Sequence, residues 1–229
     1  MSSAAPLLAA GFLALLALTG CSAMEFPYQL LSRTLGEEEV ISTPYGRLRT
    51  GGEVEALPYA QIGVQLEGLR PAILVLTYND ASVESWRSAD DVELVTRSGR
   101  VISVAGLSPS FEVSVEGDPL ETGLLRSSAD YLKTVTIDAG GGREVVSIQM
   151  RCSMQATGNP EPHAILDWTF LAQKYQETCE NGEGRTLSEF WVSDEERPYV
   201  WTSIQEPAPG LPSIRLDMLK RPAETEGAA

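Results

Sequence analysis

His163 is the only histidine in the chain, and that scarcity removes more chemistry than any other feature of the composition. Paired-histidine metal motifs cannot be built from it, and a Ser-His-Asp triad would have to use it as the base. It follows Asn159-Pro160-Glu161-Pro162, which reads as a turn, so a solvent-facing loop is its expected place. Cysteine is nearly as scarce. Cys21, Cys152 and Cys179, with one distant histidine, give too few ligands at no recognisable zinc spacing. Basic residues are outnumbered, 17 Lys and Arg against 32 Asp and Glu, for a net charge of −15. No basic run offsets that charge, which argues against nucleic acid as a partner. A hydrolase elbow, a phosphate-binding loop and a dinucleotide glycine pattern are all absent. The expectation is therefore no catalytic residue, no cofactor and no metal.

Acidic residues, by contrast, are too many to be informative. Two carboxylates can run glycoside hydrolysis, but among 32 some pair always fits. Asp90, Asp91, Asp167 and Glu177 carry little weight on that ground, and Glu37-Glu38-Glu39 reads as a solvated run.

The N-terminus lacks basic residues, since no Lys or Arg precedes Arg33. Its apolar run from Ala4 to Leu18 is shorter than the ~20 residues a transmembrane helix needs, and it closes on Leu18-Thr19-Gly20-Cys21. A short apolar segment ending in small residues reads as an export signal. A cysteine directly after the small pair is the pattern of a bacterial lipobox, whose thiol is diacylated and becomes the mature N-terminus. Residues 1–20 are then a signal peptide and Cys21 is the lipidation site. Two or three acyl chains on one residue anchor a domain stably, at roughly 0.8 kcal/mol per buried methylene. Ser22, unlike an Asp there, permits transfer to the outer membrane in sorted Gram-negative lipoproteins.

With Cys21 acylated, Cys152 and Cys179 can form one bridge in an oxidising compartment. Two buried free thiols are the alternative. Closing the loop would contribute about 3 to 4 kcal/mol on the chain-entropy estimate.

Beyond the anchor, residues 21–56 read as a short helix over Met24–Leu35, stopped by Gly36, and a linker from Glu37 to Gly52. Residues 57–222 read as the main domain, built from short strands. Gln61–Leu66 alternates and Ala72–Leu76 is a continuous apolar run. Val92–Thr96 and Arg100–Val104 flank Arg97-Ser98-Gly99 as a hairpin. Further runs lie at Phe111–Val115, Tyr131–Ile137, Val145–Met150, Ile165–Leu171, Glu189–Val192, Tyr199–Ile204 and Ile214–Leu219. Ala164–Gln176 has helical length, but Ile165, Trp168, Thr169 and Phe170 favour a strand. The fold class is mainly β, an antiparallel sandwich or open barrel with a short N-terminal helix. Residues 223–229 read as a disordered tail. Trp86, Trp168, Trp191 and Trp201 offer faces that could stack on sugar rings, although packing is the commoner use of an indole in a short strand.

Leu57-Pro58-Tyr59-Ala60, Trp86-Arg87-Ser88-Ala89-Asp90, Arg97-Ser98-Gly99-Arg100 and Gly106-Leu107, in that order, resemble the lipoproteins of the YjbF family, also called the group 4 capsule lipoprotein GfcB family. Arg151-Cys152 and Glu177-Thr178-Cys179 look like the cysteine pair of many members. Phe190-Trp191-Val192 and Val200-Trp201-Thr202-Ser203-Ile204-Gln205 are similar to its paired tryptophan strands, and Leu219-Lys220-Arg221-Pro222 to its close. Ser188-Glu189 stand where an Asn-Arg pair is common, and Ser193 where an Asp is usual. The resemblance implies an outer-membrane lipoprotein facing the periplasm that works in exopolysaccharide or capsule production. Its implied partners are an outer-membrane β-barrel, other export proteins and, through the aromatics, the polysaccharide itself. Two other readings compete: a periplasmic polysaccharide-modifying enzyme with a carboxylate pair, and a general envelope lipoprotein supporting a barrel.

Overall fold

The computed structural model describes residues 48–222 except 81, 124, 126–129, 143 and 194–197. Cys21 and the helix expected over Met24–Leu35 lie outside the described residues.

Twelve antiparallel strands follow one another around the molecule. They are β1 (Gln61–Leu66), β2 (Ala72–Asp80), β3 (Val83–Arg87), β4 (Glu93–Arg97), β5 (Arg100–Ala105), β6 (Ser110–Glu116), β7 (Asp130–Asp138), β8 (Val146–Ile165), β9 (Trp168–Glu180), β10 (Arg185–Ser193), β11 (Val200–Gln205) and β12 (Ile214–Lys220). Each pairs with its neighbour in sequence, and β1 pairs with β12 through Ile62↔Met218 and Val64↔Leu216, closing a barrel. The expected sandwich or open barrel is thus corrected to a closed one. Closure joins the first strand to the last, and local alternation carries no signal of that pairing.

Alternation decides what faces inward. On β7, Tyr131, Lys133, Val135 and Ile137 are buried while Asp130, Leu132 and Asp138 are exposed. On β8, Met150, Cys152 and Met154 are buried between exposed Gln149, Arg151 and Ser153. Trp86, Phe190, Leu74, Leu94 and Met150 are among the largest fully buried side chains, so among the described residues the interior is packed with side chains and shows no lumen for a polymer. The outward positions of β6 to β8 include Glu112, Glu116, Gln149 and Arg151, where a lipid-facing barrel would carry an apolar band.

Three local expectations change. Trp86 lies in β3, a strand that its sequence conceals: Glu84 and Ser85 are polar yet buried. Asn159-Pro160-Glu161-Pro162 is no turn but the middle of β8, where the register shifts between Thr157 and Glu161 and Gly158 takes φ 68°. The bulge leaves Pro160 outside the ladder, and Pro162 sits opposite Leu171 directly after it; bulged pairing of this kind is where a strand tolerates prolines. The chain instead turns at Leu166 (φ 53°) and Asp167, splitting the run expected as one strand over Ile165–Leu171.

Gly51 and Gly52, expected to end a linker, open the helix α1 (Gly51–Glu55). Thr50 caps it, and a reciprocal Thr50–Glu53 capping box holds its start. Lys220 closes its other end, donating to the carbonyls of Glu55 (3.0 Å) and Leu57 (2.6 Å). A second short helix, α2 (Pro119–Thr122), is capped by Asp118 and stops at Gly123, φ 70°.

Candidate functional site: an aromatic cradle at the β8–β9 hairpin

Charged groups meet at two levels of the molecule, and only one is open. Inside the barrel, Arg100 of β5 donates to Asp118 from Nε (2.5 Å) and Nη2 (3.1 Å), and pairs with Glu177 of β9 at 2.7 Å. Lys133 of β7 reaches the second Glu177 oxygen at 3.0 Å, and the Tyr131 hydroxyl also donates to Glu177. The Arg100 guanidinium lies 5.3 Å from the centre of the Phe190 ring. Burial pushes the Glu177 carboxyl up, but Arg100, Lys133 and the Tyr131 bond outweigh it and hold the group at about 2. Burial lowers Lys133, with Glu177 opposing. Cys152 and Cys179 sit opposite each other on β8 and β9 and are joined by a disulfide, Cα to Cα 4.0 Å. These groups tie β5, β7, β8 and β9 to one another and satisfy one another from within the chain.

Beside them, the Trp86 indole donates to Thr96 (3.0 Å), and Thr96 donates to Glu84 (3.0 Å). The Tyr199 hydroxyl reaches the other Glu84 oxygen at 3.4 Å. Burial raises the Glu84 carboxyl, with the Thr96 and Tyr199 bonds opposing.

The second level is open. Past the bulge, the end of the β8–β9 hairpin forms an arm that lies against β10 and β11. His163 stacks on Trp191 of β10 at 5.2 Å and meets Phe170 edge-on at 5.5 Å. Trp168 packs edge-on against Trp201 of β11 at 4.7 Å, and Tyr199 does the same at 5.3 Å. Two cations sit on these rings. Lys174 lies 4.9 Å from the centre of Trp191, and Arg221 lies 4.5 Å from Tyr199 and 5.1 Å from Trp201. Between arm, α1 and the end of β12 is a cavity of about 520 Å³, walled by Trp168, Trp201, Asp167, Glu55, Lys220 and Arg221, with Gly51 and Gly52 on the helix side. A Cβ on Gly51 would collide with the Asp167 carboxylate at 1.8 Å, whereas one on Gly52 would meet nothing within 4 Å. Trp201 Nε1 is buried with no hydrogen-bond partner.

The histidine expected in a loop therefore holds the arm down. Its Nε2 is 2.9 Å from Thr202 Oγ1, and Thr202 donates to Asp217 at 2.8 Å. A carboxylate can only accept, so the Thr202 proton points at Asp217 and His163 Nε2 donates. A triad needs the reverse order, hydroxyl to imidazole to carboxylate, and Thr202 is 1% exposed. Burial lowers the His163 value, against Asp217 and with Arg215.

Sequence-selected residues are scattered by the fold. Asp90 and Asp91 are exposed at the β3–β4 turn. Asp167 borders the cavity while Glu177 lies ten residues on along β9, roughly 30 Å of extended chain. A glycosidase pair stands within about 5 to 10 Å. Trp86 is fully buried, Trp201 nearly so and Trp191 half-buried. Ser188, one of the positions that departs from the family pattern, faces Glu177 across the ladder and accepts from the Glu206 amide at 3.1 Å; Ser193 accepts from the Tyr199 amide at 3.1 Å. Asp118 and Lys133 were not signalled by the sequence, and Arg100 and Arg221 entered only inside family landmarks, because charged residues enter a core as a set and the fold assembles that set.

Comparison with known proteins places the fold. The profile of a family described as group 4 capsule polysaccharide lipoprotein gfcB, YjbF matches residues 40–219. A solved structure, the hypothetical lipoprotein YmcC from Escherichia coli (K12), is similar with a TM-score of 0.66 at 20% identity, covering 81% of this chain and 100% of that one. No curated protein sequence matches.

Proposed function

Since the chain belongs to the YjbF family of group 4 capsule polysaccharide lipoproteins, we propose that it is a lipid-anchored envelope protein serving capsule or exopolysaccharide assembly without catalysing a reaction. Cys21 is its anchor, the periplasmic face of the outer membrane its place, and an outer-membrane β-barrel with other export proteins its company. The observation that carries this reading is the family match over most of the chain. The interior adds support: a barrel filled by Trp86, Phe190 and the Arg100–Glu177 ion cluster cannot itself conduct polymer, so the protein acts through its outer surface. Among the described residues, the cavity carries no histidine or cysteine, and Glu177, the most deeply buried of the four carboxylates considered, is held ionised and occupied by three partners.

The test is complementation of a deletion strain with wild type and Cys21→Ser, with membrane fractionation and surface polysaccharide measured together. Wild type should restore the polymer, and Cys21→Ser should remain unprocessed or soluble and restore none. A Cys21→Ser protein that is processed, held in the outer membrane and fully active would overturn the anchor. Normal polymer in the deletion strain would overturn the function.

A further inference from the structure

We propose that the 520 Å³ cavity between α1, the β8–β9 arm and the end of β12 is a saccharide subsite that takes one or two pyranose units of the polymer. The inference rests on the assembly role above and names the surface through which that role is exercised.

Size comes first. Small-ligand sites span about 300 to 1,000 Å³, and the cavity's roughly 520 Å³ lies inside that range. The wall chemistry then narrows the class. Trp168 supplies indole surface for the C–H face of a sugar ring, with Trp201 packed behind it. Asp167 and Glu55 are exposed carboxylates that accept from hydroxyls, and Arg221 and Lys220, held by the rings and by the carbonyls of Glu55 and Leu57, bring positive charge to the same wall. Two anions and two cations leave the wall without net charge, which suits a ligand that is rich in hydroxyls better than an acyl chain or a phosphate. The position of the carboxylate is built: Asp167 can lie against α1 only because residue 51 has no side chain. Trp201, a residue of this wall, also holds its Nε1 buried without a partner, and an unpaired buried indole N–H costs stability.

Gly52 offers a way to close the cavity without disturbing the fold. It borders the space, a Cβ there meets nothing within 4 Å, and its helical position favours any ordinary side chain over glycine. The experiment uses the exported chain with indole nitrogens labelled by ¹⁵N-tryptophan, and as probe the oligosaccharides of two to six units released by mild acid hydrolysis of the source cells' own exopolysaccharide. The Trp168 and Trp201 indole signals should shift on titration, and Trp86, bonded to Thr96 inside the barrel, should stay fixed. Gly52→Trp should weaken binding at least about tenfold with an unchanged unfolding midpoint, Asp167→Asn by about the same, and Gly52→Ala by less than about twofold. Unmoved Trp168 and Trp201 signals at millimolar probe, or wild-type binding by Gly52→Trp, would overturn the subsite. The assembly role would survive that result, because it is decided by polymer output in the deletion strain.

Discussion

Trp86 and Trp201 are both nearly or fully buried indoles on short strands of one barrel, and their surroundings differ in kind. Trp86 donates to Thr96, Thr96 to Glu84, and the neighbouring ion cluster closes on itself through Arg100, Asp118, Lys133 and Glu177. Trp201 has an N–H with no partner and a cavity at its side. Buried polar groups are costly unless satisfied: the interior pairs its ion cluster and leaves the Thr186 hydroxyl without a partner, whereas the region of Trp201 combines an unpaired indole N–H with an open wall. We read the interior as built for stability and the cradle as the face that meets a ligand.

The largest effects should come from breaking the interior. Glu177→Gln removes the charge that two buried cations depend on and should cost about 3 to 5 kcal/mol by chemical denaturation. A loss within about 1 kcal/mol would mean that the cluster holds little. Reducing the Cys152–Cys179 bridge should cost about 3 kcal/mol, measured with and without reductant. Acid sharpens the contrast between two buried carboxylates. Glu177 has its value depressed to about 2, below the ordinary ~4.3, so it contributes stability above the ordinary value that disappears as pH falls toward 2. Glu84 is raised, so its contribution is present at low pH and is lost as pH rises through its own value. Between about pH 5 and 2 the wild type should lose stability, Glu177→Gln should flatten that loss and Glu84→Gln should steepen it.

Smaller effects discriminate the two indoles. Trp86→Phe loses volume and a hydrogen bond, about 2 to 4 kcal/mol, while Trp201→Phe loses volume alone and should cost about 1 kcal/mol less. Equal costs would mean that Trp201 Nε1 is satisfied in solution. Smallest of all, Asp90→Asn at the exposed β3–β4 turn should stay within about 0.5 kcal/mol of wild type.

Strands with clean alternation were legible: β1 matches its expected bounds, and the β4–β5 hairpin turns at Ser98-Gly99 as expected. β3 was not, because Glu84 and Ser85 are polar residues buried against Thr96 and Glu93 of β4 and, for Glu84, Tyr199, partners that alternation along β3 does not reveal. Prolines at 160 and 162 read as a turn, since a bulge in a long arm leaves no mark distinct from a loop. The Thr50–Glu53 capping box was present in the sequence and went unused because two glycines follow Thr50 directly. The cradle was least legible of all. His163, Trp168, Trp191 and Trp201 stand on four strands, and what brings them together is the bend of the arm across the barrel wall.

The most direct test of this division is surface polysaccharide per unit of folded, membrane-fraction protein, measured side by side for Glu177→Gln and Gly52→Trp in the deletion strain. Glu177→Gln should lower output only in proportion to its lower abundance, and Gly52→Trp should keep its abundance and lose most of its output. Normal output per folded molecule from Gly52→Trp, or a specific loss from Glu177→Gln, would contradict the assignment of stability to the inside of the barrel and function to the cradle.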